Sequence, residues 1–192
     1  MWRLLAVLVL AAGCADVDAP VAVPPRSVTP TAPHSADTGA DAGDVGDATV
    51  IPVGFDSVAA TATAPDGSTC ELCLWLADTP DQRSRGLMGV NALGPADGMA
   101  FRYPAPHATY FWMKNTLLAL SIAFYGADGA FLDAFDMEPC VTPSCPRYPT
   151  PADFVVAVET TSGGLAALGL VPGSRLELSD LPCGRDAADR AG

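Results

Sequence analysis

Apolar and polar positions alternate with a period of two in several short runs between residue 67 and residue 182. Cys70 to Ala77 sets Leu72, Leu74 and Leu76 against Cys73, Trp75 and Ala77, the pattern of a strand. Thr109 to Thr116 alternates Thr109, Phe111 and Met113 with Tyr110, Trp112 and Lys114. Apolar bulk on both faces of that run predicts a strand covered on two sides, with Lys114 near its end on the Trp112 face. Further strands are expected at Gly98–Phe101, Leu117–Tyr125, Ala130–Met137, Phe154–Thr160 and Ser174–Leu178, with Asp128-Gly129 turning the second of these into the third. Pro104 to Pro106 with His107, and Pro139 to Pro151, read as loops.

Two short helices interrupt the strands. Thr79 with Gln82 matches a capping box, Pro80 suits the first helical position and Gly86 the stop, which places Arg83 and Arg85 on one turn. Gly164 to Leu168 forms a second short helix closed by Gly169. About seven short strands at regular spacing predict a mainly β domain, either a β sandwich or a partly closed barrel, with two short helices.

The first third of the chain has a different texture. Residues 1–13 combine Arg3, an apolar run from Leu4 to Ala12 too short to span a bilayer, and the small residues Ala11-Ala12-Gly13 before Cys14. This resembles a bacterial lipoprotein signal, with Ala11 where Leu is usual. Cleavage would make Cys14 the acylated first residue of an exported, membrane-anchored protein. Residues 14–66 are rich in Pro, Ala, Thr and Asp and predict a disordered tether; fifty such residues span roughly 40 Å. Asp37, Asp41, Asp44 and Asp47 lie within it without the closing glutamate of a calcium loop, and His34 lies there too. The folded domain is expected over 67–182 and a frayed tail over 183–192.

Charge narrows the partners. The net charge is −12 and Lys114 is the only lysine, so the basic clusters that hold nucleic acid are missing. Electrostatic binding to anionic lipid is equally disfavoured, which leaves the lipid on Cys14 as the route to the membrane.

Six cysteines, one of them acylated, leave five for an oxidising compartment. Cys140 and Cys145 are expected to pair across their loop, and Cys183 to staple the end of the domain to Cys70 or Cys73. Cys70 and Cys73 face opposite sides of one strand and do not pair with each other. Four thiolates at C-x2-C and C-x4-C spacing could hold zinc, but the compartment favours disulfides, so no metal is expected. Cys73 is followed by Leu74 and not by His, which removes the usual haem attachment motif; no cofactor is expected. No nucleophile elbow or phosphate loop is present. Asp133 and Glu159 are the carboxylates with which a hydrolase reading would have to work.

Taken together and in order, Thr79-Pro-Asp-Gln-Arg-Ser-Arg-Gly-Leu-Met88, Asp97-Gly-Met-Ala-Phe101, Phe111-Trp-Met-Lys-Asn-Thr116, Met137-Glu-Pro-Cys140, Tyr148, Val158-Glu159 and Gly169 to Leu178 resemble domain-of-unknown-function family 192, over about residues 70–180. The resemblance implies a mainly β fold in proteins that are often exported, and no settled activity. Two positions depart from the family pattern: Val90 stands where a basic residue is usual, and Ser121 where Asp is usual. Arg83, Lys114, Asn115 and Glu159 match its polar positions. With Arg85 and Trp112 they form the candidate ligand-binding surface, an aromatic wall with a few polar groups that suits a carbohydrate or envelope polymer. A protein partner in the envelope, a carboxylate hydrolase and a structural module without a small ligand are the alternatives.

Overall fold

The computed structural model describes residues 49–183. The signal over 1–13, Cys14, the tether up to residue 48 and the tail from residue 184 lie outside the described residues.

The domain is mainly β. In chain order the elements are β1 (Asp56–Thr63), β2 (Thr69–Ala77), α1 (Pro80–Arg85), β3 (Gly98–His107), β4 (Tyr110–Trp112), β5 (Leu120–Gly126), β6 (Phe131–Met137), β7 (Arg147–Pro149), β8 (Phe154–Thr161), a 3₁₀ turn (Ala166–Leu168) and β9 (Arg175–Leu178). Seven strands form one sheet in the order β6-β5-β8-β3-β2-β1-β9, and β4 pairs with β7 in a separate ribbon. All neighbours are antiparallel except β2 and β3. The parallel step needs a crossover, and residues 78–97 with α1 supply it.

The sheet curls until β9 meets the β5–β6 turn. There Phe131 N–H donates to Ser174 C=O and Leu176 N–H to Gly129 C=O, but Ala130–Arg175 is only an isolated bridge. The sheet therefore does not close into a barrel. Its concave side is filled by Val58, Ala60, Ala62, Leu72, Leu74, Ala100, Ala123, Tyr125, Val158 and Leu176. The four alanines there leave room for a tight curl. The buried Tyr125 hydroxyl satisfies itself on Ser174 Oγ at 3.1 Å. The convex side carries Met99, Phe101, Ile122, Phe124 and Phe154, covered by Leu87, Val90, Phe111 and Met113 from the connections.

Five features differ from the sequence expectation. The folded domain begins before residue 67, because Asp56–Thr63 is a full strand with Val58, Ala60 and Ala62 buried. Its inward side chains are mostly alanine, so its alternation looks like tether composition. The run from Thr109 to Thr116 is not a central strand: only Tyr110–Trp112 is extended. Asn115 then turns left-handed at φ 55°, a conformation Asn tolerates better than most residues, and Thr116 N–H closes the turn on Met113 C=O. Pro104 to His107 continue β3, and Arg147–Pro149 inside the supposed loop form β7. At the other end Cys183 is buried and bonded to Cys73, not frayed.

The helix signals held. Thr79 Oγ1 accepts from Gln82 N–H at 3.2 Å and Gln82 Oε1 accepts from Thr79 N–H at 3.0 Å, and Gly86 stops α1 at φ 46°. Thr79→Ala is expected to cost about 1 kcal/mol, seen as a lower urea midpoint at unchanged slope. An unchanged midpoint would show that packing alone holds α1.

Candidate functional site

A cleft of about 480 Å³ opens on the convex side of the sheet between α1, the end of β3 and β4. Its base is set by strand register. Glu159 on β8 stands opposite Met99 on β3 and Ile122 on β5, so alternation turns its side chain to the convex face, where it is 5% exposed. Among the described residues no donor hydrogen-bonds its carboxyl, and burial raises its pKa from 4.5 to about 8. Removing a carboxylate from water without a partner disfavours the charged form, so Glu159 carries a proton at neutral pH. No side-chain oxygen or nitrogen among the described residues is both wholly buried and unpaired, so the carboxyl keeps an edge on the cleft.

One wall is α1 with Tyr103. Arg83 lies over the Tyr103 ring at 4.6 Å and donates to the carbonyls of Asp78 at 2.5 Å and Arg102 at 2.9 Å. Burial raises the Tyr103 pKa; nearby Arg83 opposes that rise and Glu159 adds to it. His107 stacks on Tyr103 at 4.7 Å and lines the cleft with it. The register of β3 against β8 shifts between Arg102 and His107, which brings two rings four residues apart into one stack. The opposite wall is β4, with Tyr110 and Trp112 exposed at 59% and 40%. Phe101 and Phe111, edge to face at 5.1 Å, floor the space between.

The six residues expected from sequence therefore divide. Arg83, Trp112 and Glu159 meet in the cleft. Arg85 reaches its rim, but its guanidinium turns away to the Val53 carbonyl at 2.8 Å and over Phe55 at 4.4 Å. Lys114 lies outside, with Nζ 5.1 Å from the Trp112 ring. Asn115 serves the turn: its N–H donates to Cys140 C=O and its C=O accepts from Gly89 N–H, both at 2.8 Å. No sequence motif marks Tyr103, His107 and Tyr110 as site residues. The Pro-Ala-Pro run hid the first two, and the spacing of two aromatics with one strand period was the signal for the third.

The departures at 90 and 121 are structural. Val90 packs in the convex core. Ser121 Oγ donates to Asp136 on the neighbouring strand and accepts from Gly163 N–H. Glu159 is the one carboxyl among the cleft's described lining residues; Asp133 is exposed on β6, two strands away. A pair of carboxylates flanking a glycosidic bond does not form here. Among the described residues no three His, Cys, Asp or Glu side chains group as a metal site. Cys140–Cys145 and Cys73–Cys183 are the disulfides between described residues, which selects Cys73 over Cys70 as the partner of Cys183.

Similar solved structures include two bacterial proteins. One, from Sinorhizobium meliloti 1021 and described as a candidate transcription regulator, is 28% identical with a TM-score of 0.57, covering 68% of this chain and 99% of its own. The other, a protein of unknown function from Novosphingobium aromaticivorans DSM 12444, is 28% identical with a TM-score of 0.55, covering 74% and 99%. No curated protein matches. Residues 61–178 match the model of DUF192, described as "Uncharacterized ACR, COG1430". The chain belongs to this family, domain-of-unknown-function family 192, as the motifs around Arg83, Lys114 and Glu159 led one to expect.

Proposed function

We propose that this chain is an exported domain, anchored to the membrane through lipid on Cys14, whose cleft binds a carbohydrate of the cell envelope. The observation that carries the reading is the pairing of exposed Tyr110 and Trp112 with a buried, protonated Glu159 in one cleft. Aromatic faces hold the C–H surface of a sugar, and a neutral carboxylic acid can donate to a hydroxyl and accept from another. Two disulfides among the described residues support an oxidising compartment. Nucleic acid is a poor partner for a chain of net charge −12.

Binding is tested by thermal shift of the full chain in detergent against neutral and acidic envelope oligosaccharides. A ligand at ~100 times its Kd is expected to raise Tm by roughly 5–10 °C, and Tyr103→Ala or Trp112→Ala to remove that rise. No shift with any oligosaccharide would overturn the cleft reading. Anchoring is tested separately: Cys14→Ser is expected to move the protein from the membrane to the soluble fraction, and retention would overturn the anchor.

A further inference from the structure

Six basic side chains fall among the described residues: Arg83, Arg85, Arg102, Lys114, Arg147 and Arg175. Four are engaged by the protein itself. Arg83, Arg85 and Arg175 donate to backbone carbonyls, and Arg102 pairs with Asp78 at 2.9 Å and Asp180 at 3.6 Å. Lys114 and Arg147 have no hydrogen bond or ion pair among the described residues. Both lie over the same ring, Trp112, at 5.1 and 5.5 Å.

Strand pairing creates this arrangement. Trp112 on β4 stands directly opposite Arg147 on β7, and Tyr110 opposite Pro149, which puts cross-strand side chains in contact range. Tyr110, Trp112 and Arg147 enclose a second, smaller hollow of about 100 Å³. Tyr110 and Trp112 also wall the main cleft, so the two spaces share one partition.

A chain of net charge −12 repels anions in general, yet its two unneutralised described cations converge on one exposed indole. A neutral sugar would use the indole and leave the cations idle. A small inorganic anion would use the cations and leave the indole idle. An acidic sugar uses both. Contact between an exposed cation and a ring is weaker than a charge-assisted hydrogen bond to a carboxylate, so Lys114 and Arg147 gain by leaving the ring for an anion and freeing its face. The Arg147 fork matches a planar carboxylate, and one negative charge per sugar is a smaller repulsion in this chain than the two of a phosphate monoester.

We propose that the β4–β7 ribbon is a subsite for a carboxylate-bearing sugar, so that the ligand is an acidic oligosaccharide passing over Trp112 from the cleft to Lys114 and Arg147. The proposal rests on the carbohydrate reading of the cleft and names its ligand class.

The test is calorimetric titration of the full chain in detergent with a galacturonic acid hexamer, its methyl ester and a glycerol phosphate oligomer. The variants are Arg147→Gln, Lys114→Gln and Tyr103→Ala. The acid is expected to bind about tenfold tighter than the ester. Arg147→Gln and Lys114→Gln should each remove most of that preference, leave affinity for the ester unchanged and keep the unliganded Tm. Added salt should weaken the acid alone. Equal affinity for acid and ester with binding still sensitive to Tyr103→Ala would overturn the subsite and leave the cleft reading standing. An acid preference lost in Arg147→Gln but indifferent to Tyr103→Ala would sustain the subsite and overturn the cleft reading. Preference for glycerol phosphate over the acid, or no binding of any of the three, would overturn the proposal.

Discussion

Raising the pH from about 4.5 to about 8 is expected to destabilise the domain by ~3–5 kcal/mol, and Glu159→Gln is expected to abolish most of that fall. Glu159 is held between Met99 and Ile122 without a hydrogen-bond donor among the described residues. Its pKa rises from 4.5 to about 8 through burial alone, at about 1.4 kcal/mol for each pH unit. Between those two values the folded state keeps the proton and the unfolded state has lost it. More protons bound in the folded state means that unfolding becomes easier as pH rises. The stabilisation is complete below pH 4.5 and is lost as pH passes 8. Water entering from the cleft eases the ionised form and holds the effect below the full value. Asp78 works in the opposite sense, its pKa lowered by the hydrogen bond from Arg102. It supplies stability above the unfolded pKa that is lost in acid. The pair is largely exposed, so its contribution is small. Urea unfolding at a series of pH values separates the two, because Glu159→Gln removes only the alkaline branch. Parallel curves for the two proteins from pH 5 to 8 would mean that the carboxyl ionises normally and that the cleft is wetter than its walls suggest. The same proton matters to binding: a ligand that accepts from Glu159 should weaken above pH 8, and Glu159→Gln should keep that donor.

What the sequence revealed depended on how local the controlling interactions are. The cap of α1 was legible because Thr79, Pro80, Gln82 and Gly86 set it within one turn. β2 and β8 were legible because large apolar side chains mark their buried faces. β1 was not, since alanines fill its inward positions and only their place under Leu72, Leu74 and Tyr125 makes them core. The site divides along the same line. Glu159 stood out as a matching polar position, but its state depends on Met99, sixty residues earlier, being its strand neighbour. Lys114 and Asn115 were grouped with Arg83 as if on one surface. Lys114 instead lies outside the cleft, over the Trp112 ring with Arg147, and Asn115 uses its backbone for a left-handed turn that returns the chain to the cleft lining at Thr116. Tyr103 and His107 meet because β3 runs through prolines that can occupy a strand where their missing N–H is not needed.

Replacing both Cys73 and Cys183 with serine is expected to cost about 4–5 kcal/mol in the oxidised protein, against about 2 kcal/mol for the Cys140 and Cys145 pair. The first disulfide closes a loop of sequence separation 110 and the second one of 5, and the entropy removed from the unfolded chain grows with the logarithm of loop length. The native contacts point the same way. Cys73 sits on β2 where its N–H donates to Asp97 Oδ2 and its C=O accepts from Asp97 N–H, both at 2.7 Å, so one end of the bridge is fixed to the end of the crossover. The other end follows β9, in a segment tied to β1 by Ser179 N–H to Ala59 C=O at 2.8 Å and Ala59 N–H to Leu181 C=O at 3.0 Å. Without the bridge those few backbone bonds and the exposed Arg102–Asp180 pair hold the end of the domain. Cys183, buried in the oxidised fold, would leave its place. Tm should fall by roughly 10–20 °C for the long-range pair and by less than half of that for the local one. Reducing agent should bring the unaltered protein down to at least the level of the long-range variant. Equal losses from the two pairs would show that native-state packing around each bridge, and not the unfolded chain, sets its worth. A large loss confined to the long-range pair would make the domain dependent on an oxidising environment, the setting that the proposed export would supply.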